Sequence, residues 1–451
     1  MRSLIFLTIA IIFALIISCV CPAAADTTSK TVLPNGMKLI ICEGHNVNLV
    51  AIDIWVRAGS INESAENCGV SHFVEHMVFK ATKKYGPGQI DREMEGVGAE
   101  VNGGTSKDYV HFYTTVASEY LGTALDVLSD AITNAQFRQE DMDKERRVVL
   151  DEIAGSDSDP SKVAVNLFAR TAYGSHPYGR PAVGTRESVM RLKREDLLSY
   201  YSKYYNPENT CVVVAGDVNP KDAEAAVVRA FKDFKSTRGK AHQDDLANQL
   251  PERKSPELHR YTWQKSSKNY MVVGFPIPAC SDNESCSLDV TASVLGDTYR
   301  GKLSSALNAA QVHFTGISCD YVSQRYSGLF YVLVSVEPAD AEKAASVIVG
   351  EFRKIASGSL TKPEVDNAKS RVEGYDLYDQ ETISGEARFF GLYETVASLE
   401  TAENRTSLIR GLNVADITKC AEKYLAGENY CLVTLEPENS TSGASQPVGR
   451  Q

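Results

Sequence analysis

Two histidines four residues apart, with a glutamate beside the second, are the part of this sequence that could do chemistry. They are His72, Glu75 and His76, in the run Ser71-His72-Phe73-Val74-Glu75-His76-Met77-Val78-Phe79-Lys80. On a helix the imidazoles of His72 and His76 project from one face a turn apart, so both can bind a single metal ion. Glu75 lies three residues after His72 on nearly the same face, within reach of a water on that ion. Phe73, Val74, Met77 and Val78 would sink the other side into a core. The order H-x-x-E-H inverts the commoner H-E-x-x-H zinc motif. Chance yields it in roughly one chain in a hundred of this length. A buried helix with two packed histidines is the alternative, and the motif alone does not decide between them.

A catalytic zinc takes three protein ligands and keeps one position for water. Downstream, in Asp143–Ile153, Glu145 and Glu152 stand seven apart and share a helix face, while Val148, Val149 and Ile153 pack. A solvated helix face is the bland reading of that pair. Taken with His72, Glu75 and His76, however, it resembles the pitrilysin/insulinase family of metallopeptidases, the inverzincins.

The resemblance implies that Glu152, 76 residues after His76, completes a site for one Zn2+ per chain, and that Glu145 supports its charge. It also implies peptide-bond hydrolysis, with Glu75 as general base taking a proton from a polarised water and passing it to the leaving amine. Asn102, Gly103, Gly104 and Thr105 match the family's exposed edge strand, which binds the substrate backbone by β-augmentation. A hairpin of turn residues is the plainer account of that stretch. The resemblance covers nearly all of the mature chain, including Ser175-His176-Pro177-Tyr178-Gly179 and Gly274-Phe275-Pro276.

One departure concerns the second half, where relatives carry an arginine and, seven residues on, a tyrosine that bind substrate or steady the oxyanion. Here Asn308 stands in the arginine's place and the loop before Phe314 is one residue short; Arg325, Tyr326 and Tyr331 fall further along. The resemblance therefore implies a heterodimer, in which a related subunit supplies the arginine/tyrosine pair.

Length and composition set the frame. At 451 residues the chain exceeds one ordinary domain, and 43% hydrophobic with 23% charged residues is a globular composition. A net charge of −11 argues against nucleic acid or an anionic membrane surface as partner. Residues 1–25 read as a signal peptide: Arg2, an apolar Leu4–Ile17 stretch too short for a confident membrane span, then Ala23-Ala24-Ala25. Ile16-Ile17-Ser18-Cys19 offers a competing lipobox, with a membrane anchor at Cys19. Either route points to a bacterial periplasm. Of ten cysteines, eight lie beyond the leader; Cys280 and Cys286 flank a polar loop and make the best local bridge, while Cys211 and Cys431 sit in apolar runs.

Strand-like runs are expected at Thr31–Glu43 and Val47–Arg57, with helices at Cys68–Lys80, Asp91–Val97, Glu119–Ala135, Gln139–Ser156 and Glu195–Tyr205. Residues 26–235 form the zinc-bearing unit, polar residues 236–256 a linker, residues 257–436 a metal-free counterpart, and 437–451 a disordered tail. The two units end on similar stretches, Tyr205–Val213 and Tyr424–Val433, which argues for internal duplication. In the second, Ser287–Leu295 replaces the histidine helix, and Glu373 is the expected counterpart of Glu152. His45, His111 and His176 read as surface or structural residues. Strand runs mixed with long helices point to an α+β fold, and the family resemblance implies two duplicated domains of mainly antiparallel sheet with covering helices, closing as a clam shell around a chamber. The reading that competes with a peptidase is a non-catalytic scaffold or peptide-binding subunit of an envelope complex, which the intact metal residues weigh against.

Overall fold

The computed structural model describes residues 27–235, 251, 255–263, 267–296, 301–438 and 446–447. The proposed leader, and most of the proposed linker, lie outside them. The first half contains β1 (Thr27–Val32), β2 (Lys38–Glu43), β3 (Leu49–Val56), α1 (Val70–Val78), α2 (Gln89–Glu95), β4 (Asn102–Thr105), β5 (Val110–Ala117), α3 (Leu121–Asn134), α4 (Gln139–Ser156), α5 (Pro160–Tyr173), α6 (Arg186–Arg191), α7 (Arg194–Tyr204), β6 (Thr210–Gly216) and α8 (Pro220–Ala230). The second contains β7 (Glu257–Trp263), β8 (Asn269–Pro278), α9 (Asp282–Gly296), α10 (Lys302–Ala309), β9 (Phe314–Ser323), β10 (Ser327–Val336), α11 (Ala341–Ala356), α12 (Lys362–Asp379), α13 (Ile383–Val396), α14 (Leu399–Gly411), α15 (Val414–Tyr424), β11 (Cys431–Pro437) and β12 (Gln446–Pro447).

Each half builds a six-stranded sheet, in the orders β1-β2-β6-β3-β5-β4 and β12-β7-β11-β8-β10-β9. In both, the strand that closes the half (β6 or β11) inserts parallel to the strand that opens it (β2 or β7). It runs antiparallel to the next strand, β3 or β8. This repeated insertion is the structural form of the duplication, and the sheets are mixed but mainly antiparallel, as the sequence implies. Thr31–Glu43 is not one strand. Pro34-Asn35-Gly36 folds it into a hairpin, with Gly36 at φ +90° and Gly36 N donating to Leu33 O at 2.8 Å. Helices α5, α6, α8 and α10 fall where the sequence pattern points to no helix. Of the expected tail, Pro437 is the end of β11, Glu438 follows it, and Gln446–Pro447 pairs parallel with β7. The Cys280–Cys286 bridge is absent: both are free thiols, Cys280 beside the Tyr321 hydroxyl and Cys286 beside Arg405.

Both faces of each sheet are covered, which is why β6 (Thr-Cys-Val-Val-Val-Ala-Gly) is buried along its whole length instead of alternating. One face of the first sheet packs Ile52, Ile54 and Phe112 against Phe73, Val74 and Met77 of α1 and Leu128 of α3. The other face, with Ile40, Trp55 and Val213, is covered by Ala387 and Phe390 of α13 and Leu399 and Ala402 of α14, helices of the second half. The contact is close: a Cβ at Gly391 would meet Trp55 Nε1 at 2.0 Å. Reciprocally, α5 of the first half lays Val163, Leu167 and Phe168 on Val272, Leu329 and Val433 of the second sheet. The halves thus exchange covering helices: α13 and the start of α14 lie on the first sheet, and α5 lies on the second.

Candidate metal centre

Helix α1 is set against β4, β5, α4 and α7, so its polar stripe faces α4 and the edge of the first sheet. The helix starts at Gly69 (φ +90°), where a Cβ would strike the Gly184 backbone at 2.9 Å, so the chain can turn there only as glycine. No side chain of the capping residue satisfies the first turn. That role falls to Glu63, 5% exposed, whose carboxylate accepts from Gly69 N (2.8 Å), Ser71 N (2.9 Å) and Ser71 Oγ. Burial pushes the Glu63 carboxyl up to about 7, against the pull of those donors and of the Arg180 charge. Nothing in the sequence singled out Glu63, because it lies outside the helix it caps.

The structure brings His72, His76 and Glu152 together. His72 Nε2 and His76 Nε2 are 3.3 Å apart, and Glu152 Oε2 is 3.4 Å from the first and 3.5 Å from the second. A tetrahedral zinc with bonds of about 2.0–2.1 Å needs ligand atoms separated by about 3.3–3.4 Å, so the triangle has the size of a zinc face. Among the described residues these three are the only group of His, Cys, Asp and Glu side chains arranged to hold an ion. His72 is buried, and burial followed by the neighbouring His76 presses its pKa down to about 3. A neutral imidazole presents the lone pair a metal requires.

The surroundings orient these groups. Glu145 Oε2 lies 3.3 Å from His76 Nδ1, and its Oε1 is 2.8 Å from Lys80 Nζ. Glu145 therefore supports the His76 ring and is itself held by Lys80, two residues past the end of α1. His72 Nδ1, by contrast, has no hydrogen-bond partner. Arg146 stacks over Phe73 at 5.3 Å and donates to Val189 O and Leu192 O, tying α4 to α1 and α6.

Glu75 sits beside the triangle, with Oε2 accepting from Thr105 Oγ1 at 2.9 Å. Its carboxyl is shifted upward by burial, opposed by the nearby His76 and by the Thr105 hydrogen bond. Thr105 is thus turned toward Glu75. The rest of its strand, β4, lies at the edge of the sheet: Asn102 is exposed, and a Cβ at Gly103 would come within 3.2 Å of Glu75 Cγ and Oε1. His111 pairs with Asp53, and buried His176 accepts from Tyr178 N. His45 is exposed, between Asp217 and Glu43.

In the second half, α9 holds the place of α1, packed on β9, α12 and α15. Asp289 and Ser293 there repeat the spacing of His72 and His76. Glu373 is not the counterpart of Glu152; it pairs outward with Arg410. Asp376 faces α9 instead, and the guanidinium of Arg405 from α14 lies between Asp289 (2.8 Å) and Asp376 (2.7 Å). Arg325, in the β9–β10 turn, donates its backbone N–H to Asp108. Tyr331 packs on Phe168, and Asn308 ends α10.

Residues 39–186 match the insulinase (peptidase family M16) domain and residues 191–372 the peptidase M16 inactive domain. An uncharacterized zinc protease of Mycobacterium leprae is 30% identical over 356 residues, covering 76% of this chain and 77% of its own. The zinc protease PqqE of Helicobacter pylori is 24% identical, covering 90% of this chain and 92% of its own. The crystal structure of a protease from Helicobacter pylori superposes with a TM-score of 0.84 at 22% identity, over 91% of this chain and all of that one. A match this long, across both sheets and the histidine helix, makes the chain a member of the insulinase family of peptidases, family M16.

Proposed function

We propose that the chain is a zinc-dependent endopeptidase that hydrolyses peptides or small unfolded polypeptides, with one Zn2+ held by His72, His76 and Glu152. The observation that carries this reading is the triangle of 3.3, 3.4 and 3.5 Å beside a half-buried carboxyl and a strand at the sheet edge. Bound zinc supplies an electrophile that lowers the pKa of a water and polarises the scissile carbonyl. Glu75, positioned by Thr105, takes the proton of that water and returns it to the departing amine. Burial raises its proton affinity above that of a free carboxylate, the direction that suits a proton acceptor. The substrate backbone pairs with the outer edge of β4 at Asn102–Gly104, an interaction of main-chain groups that tolerates many sequences. The two halves enclose the chamber in which this happens.

The working enzyme is a heterodimer in the cell envelope. With Asn308 and Phe314 in place of the arginine and tyrosine, the chain lacks donors for the developing oxyanion, which contribute on the order of 10²–10³ in rate. A related subunit supplies them. No helix among the described residues is long and apolar enough to cross a membrane.

The test is the Glu75→Gln variant, which should retain the fold and stoichiometric zinc by elemental analysis yet lose on the order of 10²–10⁴ in peptide hydrolysis. Near wild-type turnover by that variant would remove Glu75 from the mechanism.

A further inference from the structure

The peptide edge of the first sheet has two faces, and the chemistry described so far uses one. Strand β4 pairs with β5 in the register Asn102↔Tyr113, Gly103↔Phe112, Gly104↔His111. Phe112 is core beneath α1, and the Cβ position of Gly103 points to Glu75, so that face belongs to the metal. Gly104 shares the opposite face with His111, where a Cβ would lie 3.0 Å from His111 Nε2. His111 is fixed there: Nδ1 bonds Asp53 at 3.0 Å, and the ring stacks between Trp55 (4.3 Å) and Tyr113 (5.2 Å). Its Nε2 is thereby aimed across the bare backbone of Gly104.

Next to that point is a cavity of about 410 Å³, lined on β4 by the neighbouring Gly103, bounded by β3 and β5 on one side and by the α12–α13 turn of the second half on the other. Its volume accommodates a large side chain, not a second peptide. The second half contributes Tyr378, Asp379 and Glu381 to the wall, with Arg388 as the one cation. Arg388 is spoken for in part by Asp379, at 3.8 Å. Tyr378 is 73% exposed, an aromatic ring left uncovered at the mouth.

We propose that this cavity is the enzyme's selectivity pocket, taking a lysine or arginine side chain from whichever residue flanking the scissile bond points away from the metal. The inference rests on the peptidase reading above. In an extended peptide paired with β4, neighbouring side chains alternate between faces, so one of the two flanking residues must project past Gly104. A side chain leaning across the glycine meets His111 Nε2, then the rings of Tyr113 and Tyr378, then the carboxylates of Asp379 and Glu381. That sequence of an acceptor, π-faces and anions fits a long apolar stem ending in a cation. The chain thereby selects in its second half what it cuts in its first.

The test uses the mature full-length protein loaded with zinc, and peptides identical except for Lys, Leu or Gly at each flanking position in turn. Cleavage sites and kcat/KM are read by mass spectrometry. Wild type should prefer Lys over Leu at one position, and the Asp379→Asn, Glu381→Gln double variant should lower that Lys/Leu ratio roughly fivefold, as suits exposed carboxylates. Gly104→Val should instead shift the preference at the same position to Gly. If peptides are cut with no preference at either position, or the ratios are the same in all three proteins, the pocket assignment is overturned and the peptidase reading stands. If no peptide is cut by the chain alone or after adding a paralogue that carries the arginine/tyrosine pair, the peptidase reading falls and the pocket with it.

Discussion

Glu63 offers the sharpest quantitative check on how the metal helix is held. Its carboxylate is the sole side-chain acceptor described for the first turn of α1, and burial pushes its pKa up to about 7 from the ordinary 4.5. A carboxyl with a raised folded pKa binds its proton more tightly folded than unfolded. Its contribution to stability is therefore most favourable at low pH, falls as pH rises from about 4.5 to 7, and is level above that. Worked through, ionisation of Glu63 should cost about 2.5 kcal/mol of stability between pH 5 and pH 8. Glu63→Gln cannot ionise; its one amide oxygen can accept from Gly69 N–H or Ser71 N–H but not both, a loss that is the same at every pH and leaves the pH dependence of the difference as the readout. Urea unfolding of metal-stripped wild type and variant, at a series of pH values, isolates the term as the difference between the two curves. Metal removal takes competing ligand–proton exchange out of both. The variant should gain on wild type by about 2.5 kcal/mol across that range. Parallel curves would refute the placement of Glu63 as an ionisable cap. Glu63→Ala, which strands two backbone donors and a hydroxyl, should cost roughly 2–4 kcal/mol at pH 5 and loosen zinc binding.

The other predictions concern the two cation sites and the partner. His72→Ala with His76→Ala should abolish zinc uptake by elemental analysis, and stoichiometric zinc in that protein would end the assignment of the triangle. Arg405→Met should lower thermal stability by roughly 3–5 kcal/mol, because Asp289 and Asp376 would be left facing each other without their cation. Adding Asp289→Leu and Asp376→Leu should restore most of the loss; no restoration would mean that Arg405 acts by packing alone. Mixing the chain with a paralogue that carries the arginine/tyrosine pair should raise peptide turnover and the solution mass together. Full activity from the isolated chain, unchanged by the paralogue, would dispose of the heterodimer.

His72, Glu75 and His76 were legible because residue type and helical period are local, and a second period puts Glu145 and Glu152 on one face; that Glu152 joins the histidines came from the family resemblance. What supports them was not, because it arrives from elsewhere in the chain. Thr105 was expected to cradle peptide, and only the pairing of β4 with β5 shows its hydroxyl turned to Glu75. Lys80 could have been found, since it follows His76 by one helical turn on the same face. Helix α5 had its start signal in Asp159 and Pro160, where Asp159 accepts from Ser161 N and Lys162 N. It was missed because its apolar face matches a surface of the other half. Arg405 was invisible for the same reason: only the packing of α14 on α9 brings a guanidinium to the spacing of a lost metal site.

The exchanged helices also bear on how the chain is made. Emerging N-terminus first, the chain completes its first sheet at Gly216, yet the helix that covers Ile40, Trp55 and Val213 begins only at Ile383. Roughly 170 residues must follow, which at about 5–20 residues per second is some 8–30 seconds of synthesis. Through that interval a face of apolar strand residues is uncovered, the surface on which chaperones act and aggregation starts. The second sheet has no such delay, since α5 is already present when it forms. Nascent first halves should therefore be the vulnerable species, and truncated forms ending near residue 235 should be recovered insoluble while the whole chain is not.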